Sequence, residues 1–344
     1  MRVNIIGGGL AGCSLAYILK KEGVKPVIYE ASPELASGAS GNDIGLYNPR
    51  FAAQMDAPSE FYSTAFWAAY DVFKEFGDSV GFNPCGVLSL LSDERRVKRF
   101  HKTVKSWGWS EDEMCLVSPE EASKIAGIEI PDEALHMPKS GNISPKKLCH
   151  EYARGIEVHL NTKIEDLDVL EGDAIILACG MGCLNFKEAE NLPLKSVRGQ
   201  VSYIKQTQQT KNLKVALSYS GHFAPALCGV HCLGSTFQPW LDHDELIEED
   251  NLTNLEKLFG VLPYLRNDYQ VMHSKAGVRT TSRDHFPVVG QLKGRDNLYI
   301  STAHGSYGII TTLLSAKIIS DNIVEDKGLV LQSAVNTLNP YRFK

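Results

Sequence analysis

Three glycines near the start of the chain, Gly7, Gly9 and Gly12, have the spacing G-x-G-x-x-G. Glycines at this spacing permit a tight turn, the close approach of a pyrophosphate and close packing of a helix on a strand. Glu30 follows at the distance expected of a side chain that accepts hydrogen bonds from both hydroxyls of an adenosine ribose. Because an acid at that position disfavours a 2′-phosphate, the pattern indicates a dinucleotide other than NADP.

The surrounding residues supply the elements that such a site needs. An apolar strand precedes the glycines, a helix that stops at Gly23 follows them, and a second strand ends at Glu30. The glycine motif alone is also compatible with an ordinary turn, but this βαβ context predicts a dinucleotide site. The helix N-terminus then offers unpaired N–H groups to the phosphates.

Three distant segments favour FAD over NAD. Residues 34–49 are rich in glycine and small side chains instead of forming a second regular strand–helix unit. Residues 173–182 predict a buried strand that runs into small residues, and residues 297–323 predict a strand, a glycine loop and an amphipathic helix. Segments this far apart suit FAD in its extended form, whereas NAD sites are usually built from one contiguous half.

A second stretch able to do chemistry is "GVRTTSRDHFPVVG", residues 277–290, where Arg279, Arg283 and Asp284 precede an apolar run. A guanidinium binds a carboxylate through planar, bidentate contacts, so the stretch raises the question of which anion these arginines bind. The alternative for Arg279 is a pair with Asp284 or with a backbone carbonyl.

Further motifs extend from one end of the chain to the other. "IIGGGLAG" fits any flavoprotein, but the combination of R-G-Q, S-x-F-Q-P, G-V-R-x-x-x-R-D-H-x-P and L-N-P-x-R is more particular. On these motifs the chain resembles the D-amino-acid-oxidase-like flavoproteins, and within them the oxidoreductases that modify tRNA.

The resemblance implies an FAD-dependent enzyme that acts on a tRNA wobble uridine carrying a carboxymethylaminomethyl group, often with 2-thiolation. It implies loss of the carboxymethyl arm to leave the aminomethyl base, with oxygen or another acceptor taking the electrons. The alternatives are a glycine, sarcosine or D-amino-acid oxidase acting on free amino acids, and a flavin-binding protein without turnover. Because the chain starts at the nucleotide-binding strand, we expect a stand-alone oxidoreductase without methyl transfer.

The resemblance also implies roles for single residues. Arg279 is expected to bind the substrate carboxylate, because related oxidases carry their carboxylate-binding arginine in a similar stretch. His304 either faces the flavin or caps a loop, and Tyr47 either lines the substrate side or packs. Arg198 and Gln200 match a family motif or serve only to connect domains. The expected FAD contacts are Gly7, Gly9, Gly12, Glu30, Ser40, Gly41, Asn42, Gly180, Gly305, Ser306 and Gly308.

We expect an α/β fold with two interleaved domains. The FAD-binding, Rossmann-like domain is predicted to comprise residues 1–80, 142–196 and 271–344. The substrate domain, α+β and built on a mainly antiparallel sheet, is predicted to comprise residues 81–141 and 197–270.

Composition excludes several classes of protein. A formal net charge of −6 over 344 residues argues against a strongly basic nucleic-acid-binding protein, although a local basic patch remains compatible with it. Eight cysteines without a CxxC pair favour reduced thiols in a cytoplasmic protein, and no metal site is expected.

No apolar run reaches the roughly 18 residues of a membrane span. Some relatives in the resembled family attach the flavin to a cysteine in the region of residues 276–286, and no cysteine follows Cys232, so the resemblance implies noncovalent FAD.

The densest positive run is "RRVKRFHKTVK", residues 95–105. It is either a solvated helix face or a patch that contacts the phosphates of tRNA. Arg283 is a second candidate for binding the substrate carboxylate, and it is equally suited to anchoring its loop or to meeting an RNA phosphate. The candidate patch consists of Arg95, Arg96, Lys98, Arg99 and Lys102.

Overall fold

The computed structural model describes residues 1–324 and 332–343 of the chain. The strands are β1 (Arg2–Ile6), β2 (Lys25–Tyr29), β3 (Gly45–Tyr47), β4 (Val87–Leu90), β5 (Cys115–Val117), β6 (Ala134–Met137), β7 (Gly141–Ile143), β8 (Glu157–His159), β9 (Ala174–Leu177), β10 (Leu194–Lys205), β11 (Ala216–Ser218), β12 (His222–Phe223), β13 (Val230–Gly234), β14 (Val271–Ser282), β15 (Val288–Gln291) and β16 (Leu298–Thr302). The helices are α1 (Leu10–Lys21), α2 (Ala57–Phe76), α3 (Glu94–Trp107), α4 (Pro119–Ala126), α5 (Pro145–Tyr152), α6 (Glu248–Val261), α7 (Gly308–Ile323) and α8 (Gln332–Leu338).

The first large sheet has six strands in the order β15-β16-β9-β1-β2-β8. Its strand pairs are parallel except for the antiparallel β15–β16 edge. The β9 sequence Ala-Ile-Ile-Leu is buried along its whole length, as a continuous apolar run requires in a strand covered on both faces. Helices α1 and α7 pack against each other. The predicted α/β class is confirmed.

The second large sheet has eight strands in the order β14-β10-β13-β12-β11-β4-β6-β5. Its strand pairs are antiparallel except for β4–β11. Strands β10 and β14 are each 12 residues long and pair from Leu194↔Ser282 to Ile204↔Val271. The strand β14, which begins at the predicted domain boundary at residue 271, thus pairs with β10 across that boundary, a distant partner that the local pattern does not reveal.

Arg198 and Gln200 are fully buried on β10. The Arg198 guanidinium pairs with Asp250 and donates hydrogen bonds to Gln238 Oε1 at 2.6 Å and to Gln200 Oε1 at 2.9 Å. A buried ion pair of this kind is tolerated because additional hydrogen bonds satisfy the charged groups. The contacts tie β10 to α6 and to the loop before it, which supports the structural alternative for this motif.

The closing "LNPYRF" segment binds Asp284. Arg342 Nε and Nη2 donate to the two Asp284 carboxylate oxygens at 2.8 and 2.9 Å. Burial acts to raise the pKa of Asp284, but its hydrogen bonds, led by that from Arg342, outweigh burial and bring the pKa to about 2. Arg283 lies with its guanidinium carbon 5.7 Å from the centre of the Phe343 ring. Asp284 is thus the partner of Arg342 and not of Arg279.

Close packing of α1 on β1 generates a first prediction. A Cβ at Gly12 would lie 1.9 Å from the Gly7 carbonyl oxygen, so Gly12→Ala must push the helix away. We expect a loss of roughly 1–3 kcal/mol in the free energy of unfolding, measured by chemical denaturation.

Gly260 on α6 is the matched control, because a Cβ there meets nothing within 4 Å. Gly260→Ala should raise the free energy of unfolding by roughly 0.5–1 kcal/mol. Similar changes in both variants would contradict the packing explanation for Gly12.

Candidate functional site

A large cavity of about 770 Å³ opens at the carboxyl ends of β1, β9 and β16, and it is called the cavity from here on. Ligands of open α/β sheets bind outside these strand ends. The three segments that predicted FAD, residues 34–49, 173–182 and 297–323, all contribute to its wall. The second sheet contributes residues of β10, β12 and β14, so the cavity lies where the two sheets meet.

Glu30, Gly7 and Gly9 line one end of the cavity. Glu30 Oε2 accepts a hydrogen bond from the Gly8 N–H at 2.6 Å, and Oε1 accepts one from the Ser32 N–H at 2.8 Å. Each carboxylate oxygen has a second lone pair, so Glu30 can still accept from two ligand hydroxyls. A Cβ at Gly7 would lie 2.6 Å from a backbone oxygen of the strand β9 exit, which explains the glycine.

The start of α1 also faces the cavity, together with Ser40 and Asn42. Gly9, the N-cap residue of this helix, has no side chain that could accept hydrogen bonds from the first turn. The first turn also contains no acidic residue. Ser40 Oγ accepts the Leu10 N–H at 3.0 Å, and the next N–H groups of the turn have no partner within the helix. Gly12 and Gly41 are not among the lining residues; both allow close backbone packing behind the wall.

Gly180, Gly305, Ser306 and Gly308 also line the cavity. The last three lie at or just before the N-terminus of α7, whose partial positive charge can stabilise a negative charge developing in the cavity. The structure therefore brings these predicted loop residues and those near the start of α1 into the wall of one cavity.

His304 lies in the same loop and lines the cavity. Its Nε2 lies 3.1 Å from Ser301 Oγ and its Nδ1 lies 3.0 Å from Thr311 Oγ1. Burial lowers its pKa to about 3, so the imidazole is neutral at neutral pH. His304 faces the cavity and also tethers the loop to α7, which combines the two alternatives drawn from the sequence.

Arg279, on β14, points into the cavity. Its Nη1 donates to Ser306 Oγ at 3.1 Å, and its Nη2 donates to Ser235 Oγ at 2.8 Å and to the Thr236 carbonyl at 3.3 Å. No ion pair joins it to a carboxylate within the described residues, although Asp242 lines the same cavity. Burial lowers its pKa to about 10, which leaves it charged at neutral pH. The cavity thus contains a fixed cation held by neutral acceptors alone.

Two residues that the sequence did not assign to the site, Gly199 and His222, lie beside this cation. A Cβ at Gly199 would lie 1.6 Å from Arg279 Nη2, so glycine is required there. His222 pairs through its backbone with Gly234, next to Ser235, and it also lines the cavity. Burial and the nearby charge of Arg279 lower the pKa of His222 to about 4. Gly199 and Ser235 fall in the R-G-Q and S-x-F-Q-P motifs, but no local pattern marks His222, because β12 is only two residues long.

Tyr47 is a correction to the predicted site. Its side chain is fully buried, with its ring centre 5.6 Å from that of Phe73 and 5.4 Å from that of Phe82. Burial raises the pKa of its hydroxyl, and Tyr47 is not among the lining residues. Its ring fills the core behind β3, because the apolar surroundings favour packing over exposure to the cavity.

The basic run forms most of α3, but its side chains are not equivalent. Lys98 pairs with Glu94 at 3.3 Å, and Lys102 is exposed. Arg96 donates to the backbone carbonyls of Leu90 and Tyr219 at 3.0 and 2.9 Å. The run is therefore neither a uniform solvated face nor a uniform patch.

Within the described part of the chain, no group of three or more His, Cys, Asp or Glu side chains could hold a metal ion. No helix in that part is both long and apolar enough to cross a membrane. Cys179 lines the cavity as a free thiol, with its Sγ 3.7 Å from that of Cys183. The polar side chains of the cavity are hydroxyls, amides, imidazoles, carboxylates, the Cys179 thiol, the Lys163 ammonium and the Arg279 guanidinium.

The chain matches the family described as FAD dependent oxidoreductase, DAO, over residues 2–322. It belongs to this family. FAD is its cofactor, and the cavity fits that group. The uncapped start of α1 suits the pyrophosphate, the free lone pairs of Glu30 suit the ribose hydroxyls, and the α7 N-terminus suits the flavin end.

Curated relatives span the whole chain. It is similar to the tRNA 5-methylaminomethyl-2-thiouridine biosynthesis bifunctional protein MnmC of Methylobacillus flagellatus, with 29% identity over 99% of this chain and 59% of that protein. The MnmC protein of Legionella pneumophila strain Corby is 28% identical over 98% of this chain and 56% of that protein. The chain spans less than three fifths of the length of these relatives.

Solved structures share the fold. Glycine oxidase from Geobacillus kaustophilus superposes with a TM-score of 0.84 at 17% identity, covering 100% of this chain and 99% of that one. Iminodiacetate oxidase from Chelativorans sp. BNC1 gives a TM-score of 0.82 at 17% identity, covering 98% and 99%. Likeness at this level of identity concerns the fold of the oxidoreductase and not its substrate.

The lowered pKa of His304 predicts an acid dependence of stability. Its pKa is about 3 in the folded protein against an ordinary value of 6.5, so the unfolded chain takes up a proton first as the pH falls. The stability that this histidine contributes is present above pH 6.5 and is lost on acidification towards pH 3. In His304→Gln, the melting temperature should therefore fall less between pH 7 and pH 5 than in the wild type.

His150→Gln, which removes an exposed histidine from α5, controls for the loss of a histidine as such. An unchanged acid dependence in His304→Gln would contradict the burial of a neutral imidazole at this position.

Proposed function

We propose that this oxidoreductase removes the carboxymethyl group from 5-carboxymethylaminomethyl-(2-thio)uridine at the wobble position of tRNA, giving the 5-aminomethyl base. The observation that carries the proposal is the Arg279 guanidinium, which faces the cavity without a carboxylate partner in the described residues. The names of the MnmC relatives support a tRNA base as the substrate. Loss of a hydride from the carbon between nitrogen and carboxylate gives an imine, water hydrolyses the imine to the aminomethyl base and glyoxylate, and oxygen or another acceptor takes the electrons.

The substrate arm is chemically an N-substituted glycine, with a carboxylate at its end and a secondary amine next to the reacting carbon. Arg279 binds the carboxylate through its planar fork, and the Ser235 and Ser306 hydroxyls that it now contacts can rotate to assist. The bound flavin supplies a hydride acceptor for the carbon between nitrogen and carboxylate. Arg279 thereby fixes which carbon is presented.

Neutral imidazoles complete the proposed substrate site. Burial lowers the pKa values of His222 and His304 to about 4 and about 3, so neither adds a positive charge near Arg279 at neutral pH. A neutral imidazole can accept a hydrogen bond from the substrate amine. His222 is placed for this role, because it lines the same cavity as Arg279. The positive charge of this wall is thus concentrated where the carboxylate binds.

The direct test is anaerobic mixing of the FAD-loaded protein with tRNA that carries carboxymethylaminomethyl-uridine, and separately with glycine or sarcosine. We expect the tRNA to bleach the flavin absorbance near 450 nm, the usual band of oxidised flavin. Nucleoside analysis of the tRNA should then reveal the aminomethyl base.

Bleaching by the free amines alone would contradict the proposal and favour the amino-acid oxidase. Absence of bleaching by any of these substrates would favour a flavin-binding protein without turnover. Unmodified tRNA is the matched control, because it offers the same phosphates without the oxidisable arm.

Arg279 variants test the carboxylate site. Arg279→Ala should lower kcat/KM for the modified tRNA roughly a hundredfold or more while FAD stays bound, because truncating one partner of a desolvated charge pair costs ~2–5 kcal/mol. Arg279→Lys keeps the charge without the planar fork and should give an intermediate loss.

Gly199→Ala tests the position of Arg279 independently of its charge. The added Cβ would overlap Arg279 Nη2 and displace the guanidinium, so kcat/KM for the modified tRNA should fall in this variant too. Steady-state kinetics and the flavin content should be measured together. Wild-type kinetics in Arg279→Ala would remove Arg279 from the site.

A further inference from the structure

A smaller cleft lies beside the cavity and involves the start of α3. The turn between β11 and β12 separates the two: Ser218, Gly221 and His222 line the cavity, whereas Ser220 lines the cleft. A group bound in the cleft would therefore neighbour a group bound in the cavity. The lining of this arginine cleft consists of Ser92, Asp93, Arg95, Arg96, Arg99 and Ser220.

Arg96 is held in place at the base of the arginine cleft. Its Nη1 donates to the Leu90 carbonyl at 3.0 Å and its Nη2 to the Tyr219 carbonyl at 2.9 Å. Burial lowers the pKa of Arg96, and the charge of Arg99 lowers it further. The two guanidinium groups are thus close enough to repel each other, and a bound anion would relieve this repulsion.

Acidic groups do not neutralise the arginine cleft. Asp93 lines it, and its Oδ1 accepts the Arg96 backbone N–H at 2.8 Å as the N-cap of α3. In residues 1–324 and 332–343, no ion pair joins Arg95, Arg96 or Arg99 to a carboxylate. One carboxylate faces three guanidinium groups, so the concave surface carries net positive charge.

Arginines of the arginine cleft lie near Tyr307, a residue in the wall of the cavity. Tyr307 lines the cavity at the start of α7. Burial raises the pKa of its hydroxyl, while the charges of Arg50, Arg99 and Arg96 act in the opposite direction. The cleft therefore lies at the edge of the cavity that Tyr307 borders, and not on a remote face.

We propose that the arginine cleft binds a backbone phosphate of the RNA substrate, next to the nucleotide whose modified base enters the cavity. This inference rests on the proposed function. A phosphate diester carries one negative charge, which arginine forks and serine hydroxyls bind in nucleic-acid interfaces. The remaining lysines of the basic run, including Lys98 with its Glu94 partner, lie outside the cleft.

The test compares two double variants of α3 that remove the same charge. Arg95→Gln/Arg99→Gln removes two exposed arginines of the cleft, and Lys102→Gln/Lys105→Gln removes two exposed lysines of the same helix outside it. Arg96 is left in place because its guanidinium also supports the β11–β12 turn. The KM for the modified tRNA is measured with the FAD-loaded enzyme at several salt concentrations.

We expect KM to rise roughly tenfold in the arginine variant, and its logarithmic salt dependence to weaken by about 0.7, the value for one phosphate of a single strand. The lysine variant should stay within about twofold of the wild type. Ser220→Glu places a carboxylate in the cleft without removing an arginine and should also raise KM. Flavin content and melting temperature verify that each variant is folded.

Equal increases of KM in the arginine and lysine variants would overturn the phosphate site, because the effect would then be one of general charge. Such KM values can be measured only if the wild type turns over the modified tRNA. In that case the phosphate site fails while the proposed function stands. If the wild type instead oxidises only free amines, the proposed function fails, and the RNA phosphate site fails with it.

Discussion

The uncompensated charge of Arg279 is the constraint on which the site depends. A charged group surrounded by protein is destabilising unless an opposite charge pairs with it, and burial accordingly lowers the pKa of Arg279 to about 10. Ser235, Ser306 and the Thr236 carbonyl orient the guanidinium but supply no negative charge. The carboxylate of the proposed glycine-like arm would supply that opposite charge, which an uncharged substrate would not.

Long-range pairing fixes the position of that charge. Val197 on β10 pairs with Arg279 on β14, and the missing side chain of Gly199 leaves room for the guanidinium. Ser306 reaches it from the loop before α7, which is anchored to the other sheet through β16. The cation thus sits where the two sheets meet, with the α7 N-terminus and the neutral His304 beside it. The starts of α1 and α7 and Arg279 line one cavity, so residues that would hold FAD and the residue proposed to bind the substrate carboxylate share it.

The sequence predicted the parts that are local. The G-x-G-x-x-G turn, Glu30 and the helix of α7 follow from spacing and periodicity within about 30 residues, and each lies at the cavity. Pairings between distant segments were beyond reach: Arg342 with Asp284, Arg198 with Asp250, and β14 with β10. Tyr47 was misplaced for a related reason, because only the packed core reveals that Phe73 and Phe82 surround its ring. The sequence revealed that residues 95–105 are basic, but only the fold shows that the arginines of this run line the arginine cleft and that its lysines do not.

The most direct measurement is a titration of the FAD-loaded protein with acetate and with acetamide, following the perturbation of the flavin absorbance spectrum. The two ligands are similar in size and differ in charge, and neither carries an oxidisable amine. If Arg279 is the carboxylate site, acetate perturbs the spectrum saturably, acetamide binds far more weakly, and Arg279→Ala loses the acetate response. Equal binding of both ligands, or an undiminished acetate response in Arg279→Ala, would contradict the central role of this cation.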